Sequence, residues 1–302
     1  MRIGVDLGGT KIEAIALDPT GACLARRRVP APRDDYQATL AAVAGLVAAL
    51  ESETGCQGSV GIGTPGALSP FNGRLRNSNS VWLNDRPIDR DLARLLGRPV
   101  RIANDADCFA LSEATDGAGE EARCCFGVII GTGCGGGLVV DGRLLAGPNA
   151  IAGEWGHNPL PWPAVDELPG PACYCGKQGC IETFVSGPGL AADHRRHTGL
   201  DLDPPRILAA AQSGDPGAQA SLDRHGTRLG RALASVINVL DPDVIVLGGG
   251  LSNLPHLYDD LPGLIRPWLI CDGLATRILP PRHGDSSGVR GAAWLWDREP
   301  SP

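Results

Sequence analysis

One histidine and three cysteines stand close together in the stretch 157–180: His157, Cys173, Cys175 and Cys180, the cysteines spaced C-x-C-x4-C. Three thiolates and an imidazole make a closed tetrahedral set of the kind zinc takes in structural sites. Gly176 and Gly179 let the chain turn back sharply between Cys175 and Cys180. Chance clustering of buried thiols is the competing reading, because free cysteine behaves as a small hydrophobe. The remaining cysteines (23, 56, 108, 124, 125, 134 and 271) show no ligand spacing and are read that way. A four-coordinate zinc has no open position for substrate, so its work would be to pin a loop. Two acids flank that loop: Glu154, three residues before His157, and Glu182, two after Cys180. Pinning both ends fixes the carboxylates relative to each other, an arrangement suited to a ring of hydroxyl donors; two solvated surface acids are the plain alternative.

Three apolar runs lead into glycines. Ile3–Leu7 precedes Gly8-Gly9-Thr10-Lys11, Phe126–Ile130 precedes Gly131-Thr132-Gly133, and Val244–Leu247 precedes Gly248-Gly249-Gly250. Such runs read as buried strands ending in sharp turns. Turns without Cβ atoms present backbone N–H groups to a phosphate, and Thr10 and Lys11 add a hydroxyl and a charge. Asp6, beside the first turn, would repel phosphate directly and is better suited to holding Mg²⁺ through water. Gly248–Gly250 would open a flat slot for an adenine ring. Any one such turn is an ordinary turn former; three together favour a nucleotide. None has the spacing of a P-loop or of a Rossmann dinucleotide turn. Asn104-Asp105 ends another strand pattern at a helix start, where the dipole favours an ionised Asp and its plain role is the N-cap.

The elements that must position these groups alternate between strand and helix, which indicates an α/β architecture. Residues 3–17 and 126–140 both read as hairpins and suggest an internal duplication. Helices are expected over Tyr36–Leu50, after Asp34-Asp35, from Asp215-Pro216 to about Asp241-Pro242, and over Gly288–Trp296. The polar stretch Asp116–Arg123 is the expected lobe boundary. A net charge of −7 does not favour nucleic acid or an anionic membrane. The N-terminus lacks a signal-peptide pattern and no stretch reaches the ~18 apolar residues of a membrane helix, so a cytoplasmic protein is expected. Reduced thiols in that compartment favour metal over disulfide.

D-L-G-G-T-K, I-G-T-G-C-G-G-G and L-G-G-G resemble the phosphate and adenosine loops of the actin/hexokinase/Hsp70 superfamily. Within it, E-W-G-H-N with C-x-C-G-x-x-G-C-x-E resembles the ROK family, from Met1 to about Trp296. The segments T-P-G, N-S-N-S-V-W-L-N, A-N-D-A-D, G-E-W-G-H-N-P-L-P-W and H-G-D-S-S-G-V-R-G-A-A-W-L-W are most similar to bacterial ROK fructokinases.

The resemblance implies two ribonuclease-H-like lobes with an interlobe active-site cleft: a small lobe, 1–118, on which a C-terminal helix, 286–302, packs back, and a large lobe, 119–285, carrying the zinc loop. It implies ATP-dependent phosphorylation of D-fructose, and of mannose, at the 6-hydroxyl. N-acetylglucosamine kinase or glucokinase is the alternative, and a non-catalytic sugar sensor the alternative of another class. With the hairpin starting at Ile3, the DNA-binding domain that ROK repressors carry at their N-terminus is not expected here.

Asp105 becomes the catalytic base, with Asp107 as the local rival. Gly66, Asn79, Asn104, Glu154, His157 and Glu182 become sugar ligands, with Asn77 competing with Asn79. ATP and Mg²⁺ fall to Gly4, Asp6, Gly8, Gly9, Thr10, Lys11, Thr132, Gly133, Gly135, Gly136, Gly248, Gly249 and Gly250. Zinc falls to His157, Cys173, Cys175 and Cys180. A homodimer is implied by resemblance alone.

Overall fold

The computed structural model describes residues 1–254 and 256–296. Twelve strands are seen among them: β1 (Arg2–Leu7), β2 (Lys11–Leu17), β3 (Cys23–Pro30), β4 (Ser59–Thr64), β5 (Ala67–Leu68), β6 (Leu75–Arg76), β7 (Val100–Asn104), β8 (Cys124–Ile130), β9 (Cys134–Val140), β10 (Arg143–Leu144), β11 (Val244–Gly248) and β12 (Arg277–Leu279). The helices are α1 (Tyr36–Thr54), α2 (Ile88–Leu96), α3 (Asp105–Asp116), α4 (Glu182–Val185), α5 (Gly187–Thr198), α6 (Pro204–Gln212), α7 (Pro216–Leu240), α8 (His256–Ile265) and α9 (Ser287–Trp294). No helix of the described residues is long and apolar enough to cross a membrane.

Local chemistry sets the helix ends. The Asp35 carboxylate accepts the Ala38 N–H at 2.9 Å and starts α1, which ends at Gly55 in the left-handed conformation. Asp215 accepts the Ala218 N–H at 2.7 Å, with Pro216 next, where a missing N–H costs nothing. That helix ends at Asp241, φ 44°, before Pro242.

Two sheets share one plan. The first has strand order β3-β2-β1-β4-β7, the second β10-β9-β8-β11-β12. In each, a short antiparallel arm is followed by parallel strands. The hairpin repeat legible in the sequence is therefore a repeat of a five-stranded topology.

The chain divides into two compact units. Among the described residues, the first comprises Met1–Glu121, Gly137–Ala152 and 282–296; the second comprises Ala122–Gly136 and Gly153–Pro281. Residues 137–152, expected in the second domain, group with the first.

In the first unit, α1 and α2 cover one face of the sheet around Leu40, Val43, Leu46, Val47 and Leu92. Helix α9 packs against β1 and β4, where glycines admit its backbone. A Cβ at Gly4 would collide with the Val289 carbonyl, one at Gly61 with the Ala292 carbonyl, and one at Gly291 with the Cys108 carbonyl on α3. Gly4 is thus a buried packing glycine inside β1. This corrects its expected role beside the nucleotide. The expected helix 286–302 is observed as α9; residues 297–302 lie outside the described residues. In the second unit, α7 packs with α5, α6 and α8, and β11 is buried along its whole length.

Candidate active site

The parallel strands of the first sheet end together. Asp6 is in register with Gly63, and Thr64 with Asn104. Asp6, the Thr64-Pro65-Gly66 turn and Asn104-Asp105 therefore meet at the carboxyl edge of the sheet, where open α/β sheets bind ligands.

Burial pushes the Asp6 carboxyl up to about 6, with the negative charges of Asp105 and Glu13 adding to it and Lys11 and Arg28 opposing. A carboxyl so held favours a cation beside it. The N-cap of α3 is Asn104 rather than Asp105: its Oδ1 accepts the Ala106 N–H at 2.7 Å, and the Asp105 Oδ1 accepts the same N–H at 2.8 Å. Asp105 is exposed in the first helical turn. The Asn104 amide nitrogen donates to the Gly66 carbonyl at 3.4 Å, so the side chain expected to hold sugar is engaged by backbone on both atoms.

Gly66 has φ +84° and no room for a Cβ against the Arg76 carbonyl, which brings the 76–78 backbone beside the end of β4. Asn77 and Asn79 are both exposed on that loop. Gly9, Thr10 and Lys11 form an exposed turn with half-buried Gly8. Lys11 Nζ lies 4.0 Å from the Glu13 carboxylate, which is buried and pairs also with Arg26 and Arg28.

The second unit carries the other glycine turns. The Gly131 N–H donates to the Gly133 carbonyl at 2.9 Å, and the Gly187 N–H at the start of α5 donates to the Gly131 carbonyl at 2.8 Å. Thr132 is exposed at the tip. Gly133 has a Cβ position 2.7 Å from Glu182 Oε2, and the same oxygen accepts the Cys134 N–H at 2.9 Å. Glu182 thus braces the turn.

Gly135 and Gly136 lie in β9 rather than in the turn. The Gly135 carbonyl accepts the Trp155 indole N–H at 3.0 Å, and a Cβ on Gly136 would come within 2.9 Å of Phe126, Gly153 and Trp155. The 153–156 loop packs on β9 here, filling the space over Gly136 and engaging the Gly135 carbonyl. Gly248 ends β11, buried, while Gly249 and Gly250 are exposed.

A cavity of about 890 Å³ lies beside this turn, lined by Gly131, Thr132, Gly187, Pro188, Gly250, Leu251, Leu254 and the start of α6 with Asp203, Pro204 and Arg206. Its size is that of a small-molecule site. Sequence reasoning missed the α5, α6 and Leu251–Leu254 walls. The one signal was the Asp203-Pro204 helix start, which caps α6 through the Arg206 N–H at 3.0 Å.

His157, Cys173, Cys175 and Cys180 come together, with ligand atoms all within 4.8 Å of one another. Cys175 and Cys180 Sγ are 3.6 Å apart, as are Cys173 Sγ and His157 Nδ1. A tetrahedral ion with ~2.3 Å bonds to sulfur spaces its ligands about 3.7 Å apart, so the set fits such a metal. The Lys177 N–H lowers the Cys175 thiol pKa, whereas burial raises Cys173 and takes Cys180 to about 12; a cation at the centre would draw off those protons.

The same loop has a second anchor. Glu167 accepts Arg228 at 2.7 Å and Arg231 at 2.7 and 2.8 Å, and Arg231 donates to the Trp162 carbonyl at 2.5 Å. Glu154 is exposed at the start of the turn that carries His157.

The ROK family model matches residues 2–299. The N-acetyl-D-glucosamine kinase of Vibrio atlanticus is 40% identical over 299 residues, covering 98% of this chain and 99% of that protein. The crystal structure of the ROK hexokinase from Thermus thermophilus superposes with a TM-score of 0.87 at 34% identity, covering 97% of this chain and 96% of that one. The ROK family glucokinase from Streptomyces griseus, solved in complex with glucose and AMPPNP, superposes with a TM-score of 0.78 at 28% identity, covering 97% and 98%. With this match over nearly its whole length, the chain belongs to the ROK family and has its hexokinase-like α/β fold, consistent with the actin/hexokinase superfamily.

Proposed function

We propose that this protein is a sugar kinase that transfers the γ-phosphoryl group of ATP to the 6-hydroxyl of a hexose. The observation that carries the reading is the Asp6–Asp105 pairing at the carboxyl edge of the first sheet: one carboxyl buried, raised to about 6 and suited to a cation, the other exposed at a helix start. Asp105 accepts the proton of the attacking hydroxyl, its oxygen bonds to the γ-phosphorus, and the bond from that phosphorus to the oxygen of the departing ADP breaks. The transition state is loose, so positioning and charge neutralisation do most of the work. Asp6 would hold Mg²⁺, which supplies charge neutralisation at the phosphates. The Gly8–Lys11 and Thr132–Gly133 turns contribute N–H donors, and the cavity beside Thr132 and Gly250 takes the adenosine. Glu154, Glu182 and His157 hold sugar hydroxyls. Zinc on His157, Cys173, Cys175 and Cys180 fixes the loop that carries them.

For the sugar, the N-acetyl-D-glucosamine kinase relative at 40% identity supports N-acetyl-D-glucosamine over fructose. D-Fructose is kept as the second reading because the segments Asn77–Asn84, Gly153–Trp162 and His283–Trp296 resemble fructokinases. An ATP-coupled assay on N-acetylglucosamine, fructose, mannose, glucose and N-acetylmannosamine tests both. Highest kcat/KM on N-acetylglucosamine supports the first reading, highest on fructose with mannose behind it the second. Turnover of no sugar refutes the kinase.

A further inference from the structure

Ser80 stands just before the short helical turn Val81–Leu83, where a serine hydroxyl commonly caps the first free N–H groups, and here its side chain makes no such cap. The backbone is held without it. The Ser80 N–H donates to the Ser78 hydroxyl oxygen at 3.1 Å, and the Ser80 carbonyl accepts that hydroxyl at 3.2 Å and the Leu83 N–H at 2.9 Å. Asn84 fixes the same loop: its Oδ1 accepts the Ser78 N–H and its amide nitrogen donates to the Ser78 carbonyl, both at 2.9 Å. Ser80 is 1% exposed, and its hydroxyl finds no hydrogen-bond partner among the described residues. A buried hydroxyl left so is costly, and it is a place where a ligand can supply the partner. The hydroxyl faces the first glycine turn. A Cβ built on Gly9 would stand 3.5 Å from Ser80 Oγ and, its own chain neighbours aside, within 4 Å of no other atom. The space over Gly9 is therefore open apart from this one oxygen, and both groups belong to the first unit. Ser80 follows Asn77 and Asn79, the candidate sugar residues, while Gly9 belongs to the turn proposed to donate N–H groups to phosphates. The group that must pass from those phosphates to a sugar is the γ-phosphoryl.

We infer that Ser80 binds the transferred group: its O–H donates to a γ-phosphate oxygen of ATP that enters the space over Gly9. The inference rests on the sugar-kinase reading and adds a side-chain donor to the backbone N–H groups of the turn. Ser80 keeps its proton throughout, and the bonds made and broken at phosphorus are those already described. The bonds around Ser78 and Asn84 hold the serine in place before ATP arrives, so the donor is preorganised.

The test is Ser80→Ala, which removes the hydroxyl alone, read by calorimetry with AMPPNP and with ADP, each with Mg²⁺ and without sugar. AMPPNP carries the third phosphoryl group and ADP does not. The variant is expected to bind AMPPNP about 10- to 100-fold more weakly and ADP within about threefold of wild type. Its Tm without nucleotide stays the same or rises, because the hydroxyl removed has no partner to lose. Wild-type AMPPNP affinity overturns the inference. So does an equal loss of AMPPNP and ADP, which would make Ser80 a support for the turn, and so does a Tm lowered by several degrees, which would show the hydroxyl bonded within the fold. A wild type that binds AMPPNP and turns over no hexose refutes the kinase reading alone, and the comparison of the two nucleotides still decides the place of Ser80. A wild type that binds neither nucleotide refutes both.

Discussion

Replacing Glu182 by alanine removes the oxygen that accepts the Cys134 N–H at 2.9 Å and lies 2.7 Å from the Cβ position of Gly133. Cys134 is buried, so its N–H loses its partner where water is scarce. A hydrogen bond to a carboxylate contributes about 1.5–3 kcal/mol, and an orphaned buried donor costs a similar amount. The turn it holds is the one proposed to bind phosphates. If ordering that turn falls to the nucleotide, AMPPNP with Mg²⁺ binds Glu182→Ala about 10- to 150-fold more weakly. Glu182→Gln keeps an acceptor and loses only the charge, so its loss is about 3- to 10-fold. The assay is calorimetry with AMPPNP and Mg²⁺ in the absence of sugar, with thermal unfolding as a control for folding. A carboxylate serving the sugar alone would leave nucleotide affinity untouched. Wild-type AMPPNP binding by the alanine variant would therefore refute the bracing argument.

Stripping the proposed zinc with a chelator should release hydrogen-exchange protection over residues 171–181 but not over 162–168, because the Glu167–Arg228–Arg231 pairs are independent of it; equal release of both would contradict the second anchor. Gly291→Ala should lower stability by about 3 kcal/mol or more, since its Cβ would overlap the Cys108 carbonyl where α9 crosses α3; an unchanged Tm would contradict this packing. Asp6 titrates at about 6 in the folded chain against an ordinary 3.8, so the folded state holds this proton more tightly than the unfolded one. The stability it contributes is full below pH 3.8 and is lost as the pH rises through about 6. Asp6→Asn, measured without nucleotide, should flatten the Tm–pH curve over that window; a curve of unchanged slope would count against the buried carboxyl.

What the sequence made legible is what neighbouring residues decide. The Asp215-Pro216 start, the Asp35 cap, the strand-to-glycine turns and the Cys/His spacing all act over a few residues, and all reappear in the fold. Contacts between distant residues stayed hidden. Gly4 looked like a member of a nucleotide motif, yet it is needed by Val289 on a helix at the other end of the chain. Gly135 and Gly136 read as part of a turn, and the structure puts them in β9 against Trp155, twenty positions on from Gly135. Glu182 reads as a partner of Glu154 from its place beside Cys180, and its hydrogen bond to Cys134 spans 48 positions. The cap of α3 was displaced by one residue because Asn and Asp are equally good caps and only the backbone turn distinguishes them.

The measurement that bears most directly on the proposed chemistry is the turnover of Asp105→Asn on the best hexose, taken together with its sugar and AMPPNP affinities. A general base contributes about 10²- to 10⁴-fold, so kcat should fall by that factor while both affinities stay within about threefold of wild type. Turnover near the wild-type rate would contradict the assignment of Asp105 as the base.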